Sequence, residues 1–260
     1  MGKIEWMRAG PFGVMAHWTQ RTMPRAGAPD PDWNRRVERF PAESFADALL
    51  GAGAKWLIFT VGHFGDFCAP NAEIERIYPG HCSRRDLVRD LGAALHSRGI
   101  RLIAYFQTEV NHEAEEMRRA FRWELHPSDK SEFQKLWTGV MKTYAVQWGT
   151  SIDGWWFDSC YDSNKYDFLS ERGPAGWDNS RFGDGSEWLA AARAGNPAAV
   201  IAMNPGVGFL RHEPALPAIE DYLAGEADAL EVRPDGQLQD GLQWHGLVWL
   251  DCLWGHFEAP

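Results

Sequence analysis

Short, almost wholly apolar runs alternate with amphipathic ones along this chain, and that alternation limits its fold more than any other feature. The stretches "WLIFTV" (56–61) and "AVIAM" (199–203) carry hardly a polar side chain. Strands read this way when a sheet is covered on both faces. Helical patterns fall between them. "SFADALLGAGA" (44–54) reads as a helix with Ser44 near its cap. "SRRDLVRDLGAALHSRGI" (83–100) sets Ser83 and Asp86 in capping-box spacing, lines Leu87, Leu91 and Leu95 along one face and stops at Gly99. "SEFQKLWTGVMKTYAVQW" (131–148) puts Phe133, Trp137, Val140, Met141 and Tyr144 on one stripe.

Strands are expected in "FGVMAHW" (12–18), "KWLIFTVGH" (55–63), "RLIAYFQTE" (101–109), "IDGWWFD" (152–158), "AAVIAMNPG" (198–206) and "EDYLAGE" (220–226). A Gly/Asp/Asn-rich loop over about 159–185 and a short helix, "SEWLAAARAG", separate the fourth from the fifth. Strands alternating with helices imply a parallel sheet. Of the two architectures built on one, the open doubly wound sheet announces itself with a Gly-rich phosphate loop. Neither GxGxxG nor GxxxxGK[ST] occurs here. The expected fold is therefore α/β, a TIM-type (β/α) barrel in one domain over 1–260. Six strands rather than eight precede "GLQWHGLVWLDCLWGHFEAP", so the barrel is expected to be incomplete or irregular in its last units, with no C-terminal β-sandwich.

Charge excludes some partners. A net charge of −10 without a basic run argues against a nucleic-acid or anionic-membrane surface. No apolar run approaches the length of a membrane span, and the N-terminus lacks a secretory pattern, so a soluble cytoplasmic protein is expected. Cys68, Cys82, Cys160 and Cys252 are widely spaced without a CxxC, which suits free thiols. The 14 tryptophans suit packing against sugar rings, and equally suit a core.

In barrels the active site lies where strands end, and the strand ends here are polar: His17, His63, Gln107 to Glu109, Asp158, Asn204 and Glu226. Asp158 closes "IDGWWFD", where neighbouring aromatics make a carboxylate's charge costly unless ligand or hydrogen bonds compensate. Taken singly, His17 and His63 also fit core imidazoles, and Asp158 a loop cap. Two His and one Asp could form a metal triad, but no HxD or HxxxH spacing supports it, and neither metal nor cofactor is expected. Glycoside hydrolysis needs two carboxyl groups. Asp158 is the natural first. Glu226, Glu109, Asp66 and Asp251 are all available as the second, although Glu109 also fits the acidic start of a helix in "TEVNHEAEEMRR".

The blocks "FGVMAHW", "AGAKWLIFTVGHFGDFC", "RRDLVRDLGAALHSRGIRLIAYF", "DGWWFD" and "DYLAGE" resemble, in order, those of the α-L-fucosidases, family 29 of the glycoside hydrolases, over roughly 12–256. The resemblance implies a barrel whose WFD aspartate, Asp158 here, is the nucleophile of a retaining mechanism through a covalent glycosyl-enzyme. It places a hydroxyl-binding His at His17. Two departures stand out. The family's His-His-Asp-Gly-Phe run becomes "HFGDF", with His63 kept, Phe64 replacing the second His, and Asp and Gly exchanged. Where many members carry Trp-Glu with the acid/base, Trp244 and His245 stand.

The resulting expectation is an exo-acting retaining glycosidase. Asp158 is its nucleophile and Glu226 the leading acid/base. His17, Trp18, His63, Asp66, Tyr105, Glu109, Trp156 (or Trp155 as a sugar-subsite wall), Asn204 and His245 are its substrate-binding candidates. A sugar-binding barrel with lost or altered catalysis, and a hydrolase for a different glycoside, remain alternatives. The expected partner is a carbohydrate, and the oligomeric state is not legible.

Overall fold

The computed structural model describes residues 3–24, 27–110, 115–123, 131–160, 186–208, 219–227, 238–239 and 241–249. Five strands, β1 (Val14–Ala16), β2 (Trp56–Thr60), β3 (Arg101–Gln107), β4 (Gly154–Asp158) and β5 (Val200–Met203), form one parallel sheet in chain order. The helices are α1 (Glu5–Ala9), α2 (Trp33–Glu38), α3 (Ala42–Ala52), α4 (Ala72–Ile77), α5 (Leu87–His96), α6 (Glu115–Ala120), α7 (Ser131–Trp148) and α8 (Ser186–Ala192). Strands joined through helices and lying beside their sequence neighbours are the βαβ pattern that the alternation of runs predicts. The expected loop over 161–185, together with Asp251 and Cys252, lies outside the described residues.

Strand alternation sorts the apolar side chains into two clusters. Leu57 and Phe59, Leu102, Ala104 and Phe106, Trp155 and Phe157, and Ile201 and Met203 point outward and pack with the helices, including all five residues of the α7 stripe. Trp56 and Ile58, Ile103 and Tyr105, Trp156, and Val200 and Ala202 point the other way and meet Tyr222 and Ala224 in a second cluster. Met15 of β1 and Leu247 pack against it too. First and last segments can share one interior only if the sheet curls, which is the barrel's construction. Met7 of α1 joins this interior core.

Beyond β5 the wall continues irregularly. The Asp221 N–H donates to the Ile201 carbonyl, and single parallel bridges pair Tyr222 with Gln243 and Glu226 with Leu247. The expected sixth strand thus meets β5 through the Asp221–Ile201 backbone hydrogen bond and is joined by isolated bridges to 243–247, a further stave. A small antiparallel hairpin, β6 (Leu238–Gln239) with β7 (Leu242–Gln243), precedes that stave.

Two local expectations shift. Asp86, not Ser83, caps α5, accepting from the Arg89 N–H, while the Ser83 hydroxyl donates to the Arg85 carbonyl. Helix α3 begins at Ala42, so Ser44 sits inside its first turn. The "RRD" block proves to be a clamp. Arg85 donates to the carbonyls of Val37, Glu38 and Phe40, and Asp86 accepts from Gln147 and Trp148 at the end of α7.

Under the barrel, buried Asp153 accepts from His96 of α5 at 2.7 Å, from the Leu102 N–H at 2.9 Å and from Arg101. Burial alone would raise its pKa, but these donors hold it below the usual carboxylate range. No helix among the described residues is long and apolar enough to cross a membrane.

Candidate active site

Inward parity carries β1's continuation to His17, β3 to Tyr105, β4 to Trp156 and Asp158, β5's continuation to Asn204 and the next segment to Glu226. Trp18 falls on the opposite parity. It packs outside the sheet against Trp33 at 4.7 Å and Phe40 at 4.9 Å, so its ring belongs to the outer core. Trp155 is outward as well, donating from its indole to the Ala192 carbonyl.

Asp158 is buried, and each of its oxygens has a donor. The Tyr105 hydroxyl donates to Oδ2, and Asn204 Nδ2 donates to Oδ1 at 2.8 Å. The same amide nitrogen donates to Glu226 Oε2. Asn204 is oriented for this, because its Oδ1 accepts the Gly206 N–H at 3.1 Å and leaves only the NH2 group facing the acids. Two carboxylates meeting at one amide nitrogen have their nearest oxygens within about 5 Å, the span of two hydrogen bonds.

The backbone around the nucleophile candidate is equally fixed. The Asp158 carbonyl accepts from the Thr108 hydroxyl at 2.8 Å and the Thr108 N–H at 3.0 Å. Ser159 then turns the chain away with φ of 64°, a left-handed conformation costing a non-glycine residue roughly 1–2 kcal/mol.

A chain of polar groups leads off the other side of Tyr105. His63 Nδ1 lies 2.9 Å from the phenol oxygen and 2.7 Å from His17 Nε2. An ionised Asp158 only accepts, so Tyr105 donates to it. His63 Nδ1 then carries one proton, shared between the phenol oxygen and His17 Nε2, so His17 holds its own proton on Nδ1. That Nδ1 is buried without a hydrogen-bond partner among the described residues. Burial lowers the proton affinity of His17, with the charge of Asp158 pulling the other way. Phe64 stacks on His63 at 4.3 Å, and the Arg21 guanidinium lies over Phe64 at 4.2 Å. Trp156 stacks under Tyr105 at 5.2 Å and donates to the Ala224 carbonyl, forming the floor.

The structure therefore gathers His17, His63, Tyr105, Trp156, Asp158, Asn204 and Glu226. His245 lies deeper, its Nδ1 at 3.1 Å from the Ala224 carbonyl and its ring 5.5 Å from Tyr222 and 6.2 Å from Trp56, with burial lowering its proton affinity. Asp66 turns away to His81 at 2.9 Å, and Glu109 follows two residues past β3, half-buried. Arg21 was not legible as a neighbour of the site, and Thr108 was legible only as part of the polar strand end Gln107 to Glu109. Arg21 stands in a polar connection with no periodicity, and Thr108 acts by gripping a backbone carbonyl that has no sequence signature. No group of three or more His, Cys, Asp or Glu among the described residues is arranged to hold a metal.

A model built for the alpha-L-fucosidase family matches residues 31–191. That span includes His63, Tyr105 and Asp158; His17, Asn204, Glu226 and His245 lie outside it. Among solved structures, Alpha-L-fucosidase isoenzyme 1 from Paenibacillus thiaminolyticus is 19% identical with a TM-score of 0.61, over 95% of this chain and 60% of that one. The endo-fucoidan hydrolase MfFcnA9 of glycoside hydrolase family 107 is 19% identical with a TM-score of 0.60, over 86% of this chain and 43% of that one. At these identities the likeness is one of fold, and the chain spans less than two thirds of either structure. No curated protein sequence matches it.

Proposed function

The chain belongs to the alpha-L-fucosidase family, and on that premise we propose that it is a fucose-active glycoside hydrolase, retaining and exo-acting. Asp158 is its nucleophile and Glu226 its acid/base. The observation that carries this is the meeting of both carboxylates at the Asn204 amide. Their closeness is in keeping with the roughly 5–5.5 Å of retaining enzymes rather than the about 6.5–9.5 Å of inverting ones.

In the first step Asp158 attacks the anomeric carbon while Glu226 gives its proton to the departing glycosidic oxygen, leaving a glycosyl ester on Asp158. In the second, Glu226 takes a proton from water, whose oxygen attacks the same carbon and releases Asp158. Tyr105 and Asn204 hold the nucleophile's two oxygens in place.

Aryl α-L-fucosides and other aryl glycosides, assayed with the wild type, Asp158→Ala and Glu226→Gln, test the reading. Turnover is expected to vanish in Asp158→Ala. Glu226→Gln should lose far more activity on poor leaving groups than on dinitrophenyl ones, and azide should rescue Glu226→Ala. Turnover unaffected by Asp158→Ala would remove the nucleophile. Sugar binding with no turnover on any glycoside would favour the non-catalytic barrel, and release of oligosaccharides rather than a monosaccharide would replace exo with endo action.

A further inference from the structure

The turn after β2 has a second polar arm that the proposed chemistry leaves unused. Gly62 and Phe67 pair as an antiparallel bridge, so His63, Phe64, Gly65 and Asp66 form a four-residue tip. A side chain at position 62 would meet the Asp66 carbonyl at 2.8 Å, and Gly65 takes φ of 109°. His63 and Asp66 therefore stand at the two feet of one tight turn. The first reaches toward Tyr105 and Asp158, and the second toward a different group. Asp66 Oδ1 lies 2.9 Å from His81 Nδ1, and the His81 ring stacks on Tyr78 with centroids 3.6 Å apart and planes 7° from parallel. The exchange of Asp and Gly in "HFGDF" is what gives this turn its carboxylate at position 66.

We infer that Asp66, His81 and Tyr78 form a second sugar-binding subsite on the turn that carries His63. It would take the sugar on the leaving-group side of the bond that is cut. This rests on the exo-glycosidase reading, in which the only sugar next to the cleaved one lies on that side.

Three features support it. The side chains of His81 and Asp66 remain 31% and 29% exposed, so a ligand can reach them. With Nδ1–H given to Asp66 Oδ1, the neutral imidazole keeps a lone pair on Nε2, and Asp66 keeps Oδ2. Neither atom has a hydrogen-bond partner among the described residues. These two acceptors match O–H donors of a sugar, and the outer face of the stacked aromatic pair matches the C–H face of a sugar ring. A clamp holding only the loop would need neither spare acceptor.

The test compares an α-fucosyl disaccharide with α-fucosyl fluoride, which carries no sugar on the leaving side. Asp66→Asn, His81→Ala and Tyr78→Ala are assayed on both, with thermal melting to verify folding. The expected result is that kcat/KM on the disaccharide, relative to that on the fluoride, falls by about 10-fold or more in each variant, the scale of one lost charge-assisted hydrogen bond or stacking contact. An unchanged ratio, whether both rates fall together or neither falls, overturns the subsite. If the wild type turns over no fluoride, the exo-glycosidase reading has failed separately. Calorimetric titration with the disaccharide then decides the subsite: affinity lowered in His81→Ala and Asp66→Asn supports it, and unchanged affinity overturns it.

Discussion

Replacing Asp153 by Asn separates the energetics of the barrel's base from the chemistry at its mouth. Asp153 precedes β4 and Asp158 ends it, about 16 Å away at the rise of an extended strand. The carboxylate is 8% exposed and gathers Arg101, His96 and the Leu102 N–H. The amide keeps the shape and one acceptor oxygen, so the Leu102 bond can survive, but it loses the charge facing Arg101 and His96. Hydrogen bonds to a charged group contribute about 1.5–3 kcal/mol each, and the Arg101 and His96 side chains are partly solvated, which puts the expected loss near 2–3 kcal/mol. For a chain of this size that is a melting temperature lower by about 5–10 °C.

The pH dependence has a definite sign. The folded state holds Asp153 below its ordinary value, so its stabilisation is complete above the unfolded carboxylate range, near pH 4, and is lost as pH falls through the lower folded value. Denaturant unfolding of wild type and Asp153→Asn from pH 3 to 7 should therefore show a gap that is full above about pH 5 and closes toward acid. A gap that stays constant across this range, or no gap at pH 7, refutes the assignment of the stability to the ionised carboxylate.

Other outcomes follow from the same structure. Asn204→Ala leaves the two site carboxylates without their shared donor, and kcat/KM should drop about 10- to 100-fold on any glycoside the wild type cleaves, two lost charge-assisted bonds being partly offset by easier protonation of Glu226; a change under threefold counts against the shared amide. Gly92→Ala should lower the melting temperature although alanine favours helices by about 1 kcal/mol, because the new Cβ would stand 2.4 Å from the Ser151 carbonyl; a raised melting temperature would show that α5 shifts freely. Burial pushes the Cys68 and Cys160 thiols up and Cys82 up to about 12, so mass spectrometry after iodoacetamide treatment of the native protein should find these three unmodified. Ser159→Gly relieves a left-handed residue and should raise stability by about 1 kcal/mol, read by urea unfolding.

Much of this protein is legible in its sequence. Continuous apolar runs meant strands covered on both faces, the α7 stripe meant a helix on the outer core, and inward parity meant that His17, Asp158, Asn204 and Glu226 lie at one end of the sheet. Those inferences hold because side-chain alternation and helical periodicity are local, fixed by backbone geometry within a few residues. Parity along a strand was local too, and it would have sent Trp18 outward had it been applied past His17. What only the tertiary structure decided depends on contacts between segments far apart in sequence. The Asn204 amide lies between Asp158 and Glu226 because β5 and the segment after it wrap to β4. Tyr105 links Asp158 to His63 because β3 lies between β2 and β4. His245 lies a layer below the acids because 243–247 pairs with 222–226 in one register and not another. The sequence carries each of these side chains, but their partners follow from how the sheet closes, and closure is set by long-range packing of the interior that no single stretch encodes.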